Sequence, residues 1–175
     1  MPTILAKGYD PVLRAEGKQM ECTIDWGGPA GMMFVATSGS GHVAVMDGAV
    51  EGGGHDLAFR PMEMVLAGTG GCTAYDVVLI LKRGRHAVTG CSVKLQADRA
   101  DTDPKVFTRI NFAFTVTGRN LPRAAVERAV QLSHEKYCSA SAMMAKTAAL
   151  TFTVDVVDTD AAVPAASATA TAAGA

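Results

Sequence analysis

The sequence has no excess of charge of one sign. Sixteen Lys and Arg stand against seventeen Asp and Glu among 175 residues, a formal charge of −1. That balance gives no electrostatic footprint for nucleic acid or for an anionic membrane surface. Long apolar runs are also missing: outside the Ala-rich tail none is longer than Val77–Leu81, against the ~20 residues that span a bilayer. The first seventeen residues meet Asp10 and Pro11 before a signal-peptide core can form. The expectation is a soluble, cytoplasmic protein. Four cysteines, Cys22, Cys72, Cys91 and Cys138, with no CxxC pair, are too few for a disulfide scaffold. Each must be core, ligand or reactive thiol. Neither Gly52–Gly54 nor the Gly68–Gly71 stretch is followed by Gly-Lys-Ser/Thr, so neither is a phosphate loop.

What is present is enough apolar sequence for a core: 49% of residues are hydrophobic and 19% charged. Met20–Trp26 alternates cleanly, and with Met32–Thr37 and His42–Asp47 it reads as three strands joined by short glycine-rich turns, hence an antiparallel meander. A loop, Gly48–Phe59, leads to a helix over Pro61–Arg85. Pro61 suits its first position, Glu63 a capping box and Lys82, Arg83 and Arg85 its end. Two alternating segments follow, one with Cys91, Val93, Leu95 and Ala97 on a face, the other with Val106, Ile110, Phe112, Phe114 and Val116. Asp101-Thr102-Asp103-Pro104 turns between them. A helix from Asn120 to about Tyr137, a shorter one over Cys138–Thr147 and a strand with Leu150, Phe152, Val154 and Val156 complete the pattern. The order βββ-α-ββ-α-α-β makes an α+β fold. Residues 1–19 read as an N-terminal extension, 20–160 as the domain and 161–175, nine alanines with no charge, as a disordered tail.

Alternation puts Cys22 beside Ile24 and Trp26, and Cys91 beside Val93 and Leu95, so both are expected in the core. Cys72 and Cys138 fall on helical segments. Gly70-Gly71 is costly inside a helix, at about 1 kcal/mol per Gly against Ala. A break there would set Cys72 at a helix N-terminus that favours thiolate, while close helix packing explains the glycines equally well. Asp76, one turn on, opposes a thiolate if it shares the face of Cys72. Glu63 lies nine residues back, ~13 Å along a straight helix, and by spacing alone is a cap. His134 and Cys138 at i and i+4 fall short of the three or four ligands zinc wants, and His42, His55 and His86 add no ligand spacing, so no metal is expected. The methionines, Met32, Met33, Met62, Met64, Met143 and Met144 among them, read as core filler or as the lining of an adaptable apolar pocket.

Several stretches together resemble the OsmC/Ohr family (osmotically inducible protein C, organic hydroperoxide resistance), in its YhfA-like branch. They are Pro61-Met62-Glu63-Met64-Val65-Leu66, Gly70-Gly71-Cys72-Thr73, Asp76-Val77-Val78, Ile80-Leu81, Lys82-Arg83-Gly84-Arg85, Val106-Phe107-Thr108 with Ile110, Leu132-Ser133 and Glu135-Lys136-Tyr137-Cys138-Ser139. The resemblance covers about residues 20–157. It implies an OsmC-like fold forming an intertwined homodimer around two central helices, and a thiol peroxidase acting on organic hydroperoxides without a cofactor. Cys72 would be the peroxidatic cysteine, Cys138 the resolving one and Glu63 the active-site glutamate. A dithiol reductant, lipoyl-type in this family, would reopen the disulfide. The family's peroxidases also carry an arginine in the early strand region, but Gly27–Thr37 holds no Arg or Lys. Arg60, or Arg14 if the N-terminal segment folds back, are the substitutes on offer. The competing expectation is a non-catalytic dimer of the same fold that binds a small apolar ligand.

Overall fold

In the computed structural model residues 20–160 are described, so the extension, the tail and Arg14 lie outside the described residues. The described chain forms two compact units, divided after Met64 within the first long helix.

In the N-terminal unit, β1 (Cys22–Trp26), β2 (Phe34–Ser38) and β3 (Val43–Met46) form an antiparallel sheet in that order, the meander that three strands with short connections predict. Each strand begins one or two residues later than the sequence pattern suggests. After β3, Asp47 organises the loop to the helix. Its carboxylate accepts the backbone N–H groups of Gly48 at 2.7 Å, His55 at 3.0 Å and Leu57 at 3.1 Å. Those three donors hold its carboxyl below the usual carboxylate range, Leu57 contributing most. One 3-10 turn, Val50–Gly52, lies inside the loop.

α1 (Pro61–Arg83) begins where Pro61 predicts and runs unbroken. The break at Gly70-Gly71 is absent, which corrects one of the two readings of those glycines. Gly70 is there for packing: a Cβ on it would stand 2.5 Å from Leu95 Cδ1. Thr69, Gly70, Thr73, Val77 and Leu81 form the buried stripe of α1, at the spacing of one helix face. By length and composition alone α1 could cross a bilayer, a property that a count of unbroken apolar runs does not bring out.

The C-terminal unit holds the second sheet. β4 (Ala87–Arg99) and β5 (Phe107–Arg119) pair antiparallel, and β6 (Ala149–Asp158) joins β5 in parallel. A parallel neighbour needs a crossover, supplied here by α2 (Arg123–Leu132), a π turn (Ser133–Tyr137) and α3 (Ser139–Met144). The single helix expected to Tyr137 thus gives way at Ser133. Register places Leu95, Phe112 and Phe152 side by side, with Val93, Phe114 and Val154 next along the same face. Ile110, Phe112, Phe114 and Val116 are buried there, as are Val126, Ala129 and Val130 of α2.

Candidate functional site

Two cysteines 66 residues apart in sequence meet in the C-terminal unit. Cys72 flanks the buried stripe of α1, half-buried, and Asp76 follows one turn later on the same side. Cys138 is buried at the N-cap of α3, where its sulfur accepts the Ser141 N–H at 3.4 Å. Small acceptors at such a position satisfy the otherwise free amides of a first helical turn. The Sγ atoms of Cys72 and Cys138 and a carboxylate oxygen of Asp76 all lie within 4.8 Å of one another. This is the metal-capable grouping among the described residues, and it does not include His134, whose ring packs on Phe152 at 4.6 Å.

Ser133 holds the two halves of this cluster together. Its hydroxyl donates to Asp76 Oδ2 at 3.0 Å, and its carbonyl accepts the Cys138 N–H at 2.8 Å. Sequence reasoning missed Ser133 as a site residue. A π turn is the available structural signal for such a place, and its sequence, Ser-His-Glu-Lys-Tyr, carries no mark of it.

The electrostatics of Cys72 are those of crowded surroundings with no cation among the causes acting on it. Burial pushes its thiol above the ordinary range, and Cys138 and the Asp76 charge push the same way. The Ala140 N–H, at the start of α3, opposes them. The helix end that favours a thiolate is therefore α3, not a broken α1. Among the described residues, no Lys, Arg or His nitrogen lies within 4.0 Å of the Asp76 carboxylate.

Arg60 and Glu63 belong to the N-terminal unit. Glu63 Oε2 accepts the Arg60 N–H at 3.0 Å, the capping contact that its spacing predicts. The Arg60 guanidinium pairs with Asp56 at 3.1 Å on the exposed surface. Of the other two cysteines, Cys91 is half-buried but Cys22 is exposed, which corrects its placement in the core. The alternation of β1 is real, yet all five of its residues are open to solvent. Cys91 also lines a groove of about 490 Å³ against the outer face of α1, with Gly71, Ala74, Tyr75, Val78, Leu79 and Lys82.

A family model described as OsmC-like protein matches residues 53–155. The chain belongs to the OsmC-like family. It is similar to Protein YhfA of Escherichia coli K12, at 47% identity over 138 residues, spanning 79% of this chain and 98% of that protein. Among solved structures, a hypothetical protein of Aquifex aeolicus VF5 is 26% identical with a TM-score of 0.69, covering 80% and 97% of the two chains. An organic hydroperoxide resistance protein OsmC of Legionella pneumophila shares the fold at 18% identity and a TM-score of 0.59, covering 80% and 98%. The α+β architecture is thus that of the OsmC fold.

Proposed function

We propose that this OsmC-like protein is a cytoplasmic thiol peroxidase that reduces organic hydroperoxides, with Cys72 as attacking and Cys138 as resolving cysteine. The observation that carries the reading is the convergence of the two sulfurs within 4.8 Å across 66 residues of sequence. The Cys72 thiolate attacks the distal peroxide oxygen and the O–O bond breaks. The alcohol leaves after protonation, and Cys72 becomes a sulfenic acid. The Cys138 thiolate then attacks that sulfur and expels hydroxide, which becomes water on protonation, forming the disulfide. Two electrons have left the pair of thiols, and a dithiol reductant, lipoyl-type in this reading, returns them. Cys72 takes the first role because it is the more accessible of the two, Cys138 being only 2% exposed.

Support also comes from relatives of the same fold described as organic hydroperoxide resistance proteins, in Legionella pneumophila and Bacillus subtilis. Glu63 and Arg60 enter as the carboxylate and cation of the site, and the catalytic form in this proposal is a homodimer. One observation favours the ligand-binding alternative: the thiol of Cys72 is pushed up by burial, and no cation is among the causes acting on it.

Free-thiol counting and non-reducing intact mass decide between the two readings, before and after one equivalent of an organic hydroperoxide. The peroxidase loses two thiols per chain, mapped to a Cys72–Cys138 bridge and abolished by Cys72→Ser, while Cys22 and Cys91 stay reduced. No loss over many minutes would overturn the peroxidase and leave the binder of a small apolar ligand.

A further inference from the structure

We propose that Cys72, Asp76 and Cys138 form a binding site for a thiophilic divalent cation, zinc foremost, which occupies the two thiols in their reduced state. The inference does not depend on peroxidase activity, because it rests on the donor set alone. Two sulfurs and one carboxylate oxygen stand within 4.8 Å of one another. Tetrahedral zinc, with bonds of roughly 2.3 Å to sulfur and 2.1 Å to oxygen, wants its ligands about 3.5–3.8 Å apart. From separations of no more than 4.8 Å the donors need to close by at most about 1 Å, a side-chain adjustment.

The surroundings are those that a metal site requires. Two of the three donor groups already have a hydrogen-bond partner that orients them: Ser133 Oγ on Asp76 and Ser141 N–H on Cys138. Such outer contacts fix ligand geometry. Cys72 and Asp76 sit one turn apart on the long helix α1, and Cys138 is fixed as the N-cap between the π turn and α3.

The charge balance points the same way. Were the three groups ionised, they would bring three negative charges together, and among the described residues no Lys, Arg or His lies within 4.0 Å of the Asp76 carboxylate to offset them. A dication supplies that charge, and metal binding deprotonates coordinating thiols outright. Two thiolates and a carboxylate select zinc over magnesium or calcium, which prefer all-oxygen sets. Three protein ligands leave the fourth position open for water. Metal binding and a Cys72–Cys138 disulfide exclude one another, because both use the same electron pairs on sulfur.

The test uses the full chain, reduced and freed of metal. Zn²⁺ titrated against a chromophoric chelator should bind at one equivalent per chain, with Mg²⁺ unable to compete. Co²⁺ in its place should give thiolate-to-metal charge-transfer absorption. Cys72→Ser and Cys138→Ser should each weaken Zn²⁺ binding more than roughly 100-fold, and Asp76→Asn and Ser133→Ala roughly 10-fold. Cys22→Ser and Cys91→Ser should leave it unchanged. In the unmodified protein, Zn²⁺ should protect Cys72 and Cys138 from alkylation while Cys22 stays reactive, a readout that needs no variant to fold. Absence of the charge-transfer band, binding that persists without Cys72, or equal protection of all four cysteines would overturn the site. Zinc binding with no peroxide-driven thiol loss would sink the peroxidase and leave the metal site standing.

Discussion

Ser133 donates its hydroxyl to Asp76 Oδ2 at 3.0 Å while its carbonyl takes the Cys138 N–H at 2.8 Å. One residue of the π turn therefore ties α1 to the segment that carries the second cysteine. Both Ser133 and Cys138 are almost wholly buried, so the Asp76 bond has no easy replacement by water. Ser133→Ala should lower stability by about 1 kcal/mol, the usual net worth of such a bond. In the peroxidase reading it should also slow disulfide closure, with sulfenic acid accumulating before the bridge forms. Ser133→Thr should restore both. Thermal melts and a sulfenic-acid probe check the two effects separately, and a slower closure without sulfenic acid build-up would deny Ser133 its positioning role.

Asp76 also contributes to the pH response of Cys72, though less than burial and Cys138. Burial, Cys138 and the Asp76 charge all disfavour the thiolate, burial most. The rate of Cys72 alkylation should therefore rise with a midpoint above the ordinary thiol range. Asp76→Asn should move that midpoint down, but only part of the way, because the burial contribution stays. The stability effect has the corresponding sign. A thiol pKa raised on folding contributes stability that is complete below its unfolded value and lost as pH rises through the folded one. The folded state should weaken in that alkaline window, and Cys72→Ser should remove this contribution. Iodoacetamide kinetics on Cys72 peptides across pH give the first profile, and denaturant melts the second.

Much of this architecture is legible in the sequence because period-two alternation survives in β4, β5 and β6. Leu95, Phe112 and Phe152 fall on the faces their spacing predicts, and register in a half-buried sheet follows that pattern. The parallel pairing of β6 is not legible, since alternation looks alike in either direction. Cys22 misleads for a related reason. Its alternation is correct, yet β1 is exposed throughout in the single chain, and periodicity reports a face without saying what covers it. The glycines of α1 allow both a break and a close contact. Only the proximity of Leu95 to Gly70 decides for the contact. The cysteine pair is visible through family resemblance, whereas the Ser133 bridge spans 57 positions with no local signal.

Gly70 makes a stability prediction of its own. Alanine normally gains about 1 kcal/mol over glycine in a helix. Here the added methyl would meet Leu95 Cδ1, Cδ2 and Cγ, all within 3.6 Å. Overpacking of that kind costs about 1–3 kcal/mol, so Gly70→Ala should destabilise by about 1 kcal/mol net. Leu95→Ala creates room for the methyl, and the two changes together should be less harmful than their separate effects added. A double-mutant cycle from denaturant melts measures the coupling. Strict additivity would show that α1 and β4 do not press on each other there.

The outer face of α1 should be where two copies meet. Gly71, Ala74, Tyr75, Val78 and Leu79 line an open, mainly apolar groove, and Tyr75 is 70% exposed in the single chain. Apolar surface of this kind is stabilised by cover. Tyr75→Glu places a charge in that face without touching Cys72 or Cys138. It should convert a dimer into monomers by light scattering while the circular dichroism of the chain is kept. A dimer unaffected by Tyr75→Glu would move the interface elsewhere.

Asp47 should make the N-terminal unit sensitive to acid. Its side chain is buried and its carboxylate accepts three backbone N–H groups, from Gly48, His55 and Leu57. These bonds favour the charged form and hold its pKa low. A carboxyl depressed on folding stabilises the folded state above its unfolded value, and that contribution is lost as pH falls through the folded one. The loop over residues 48–59 should therefore stay ordered at neutral pH and open below the ordinary carboxylate range. Asp47→Asn keeps the size but offers one carbonyl oxygen and an NH₂ where two acceptor oxygens stood, so at least one backbone donor is left unpaired. Proteolysis within 48–59 should become several-fold faster at neutral pH in Asp47→Asn, approaching the rate of the unmodified protein in acid. Limited proteolysis with mass mapping reads this directly, and a loop that stays as resistant in Asp47→Asn as in the original would mean that backbone contacts alone hold it.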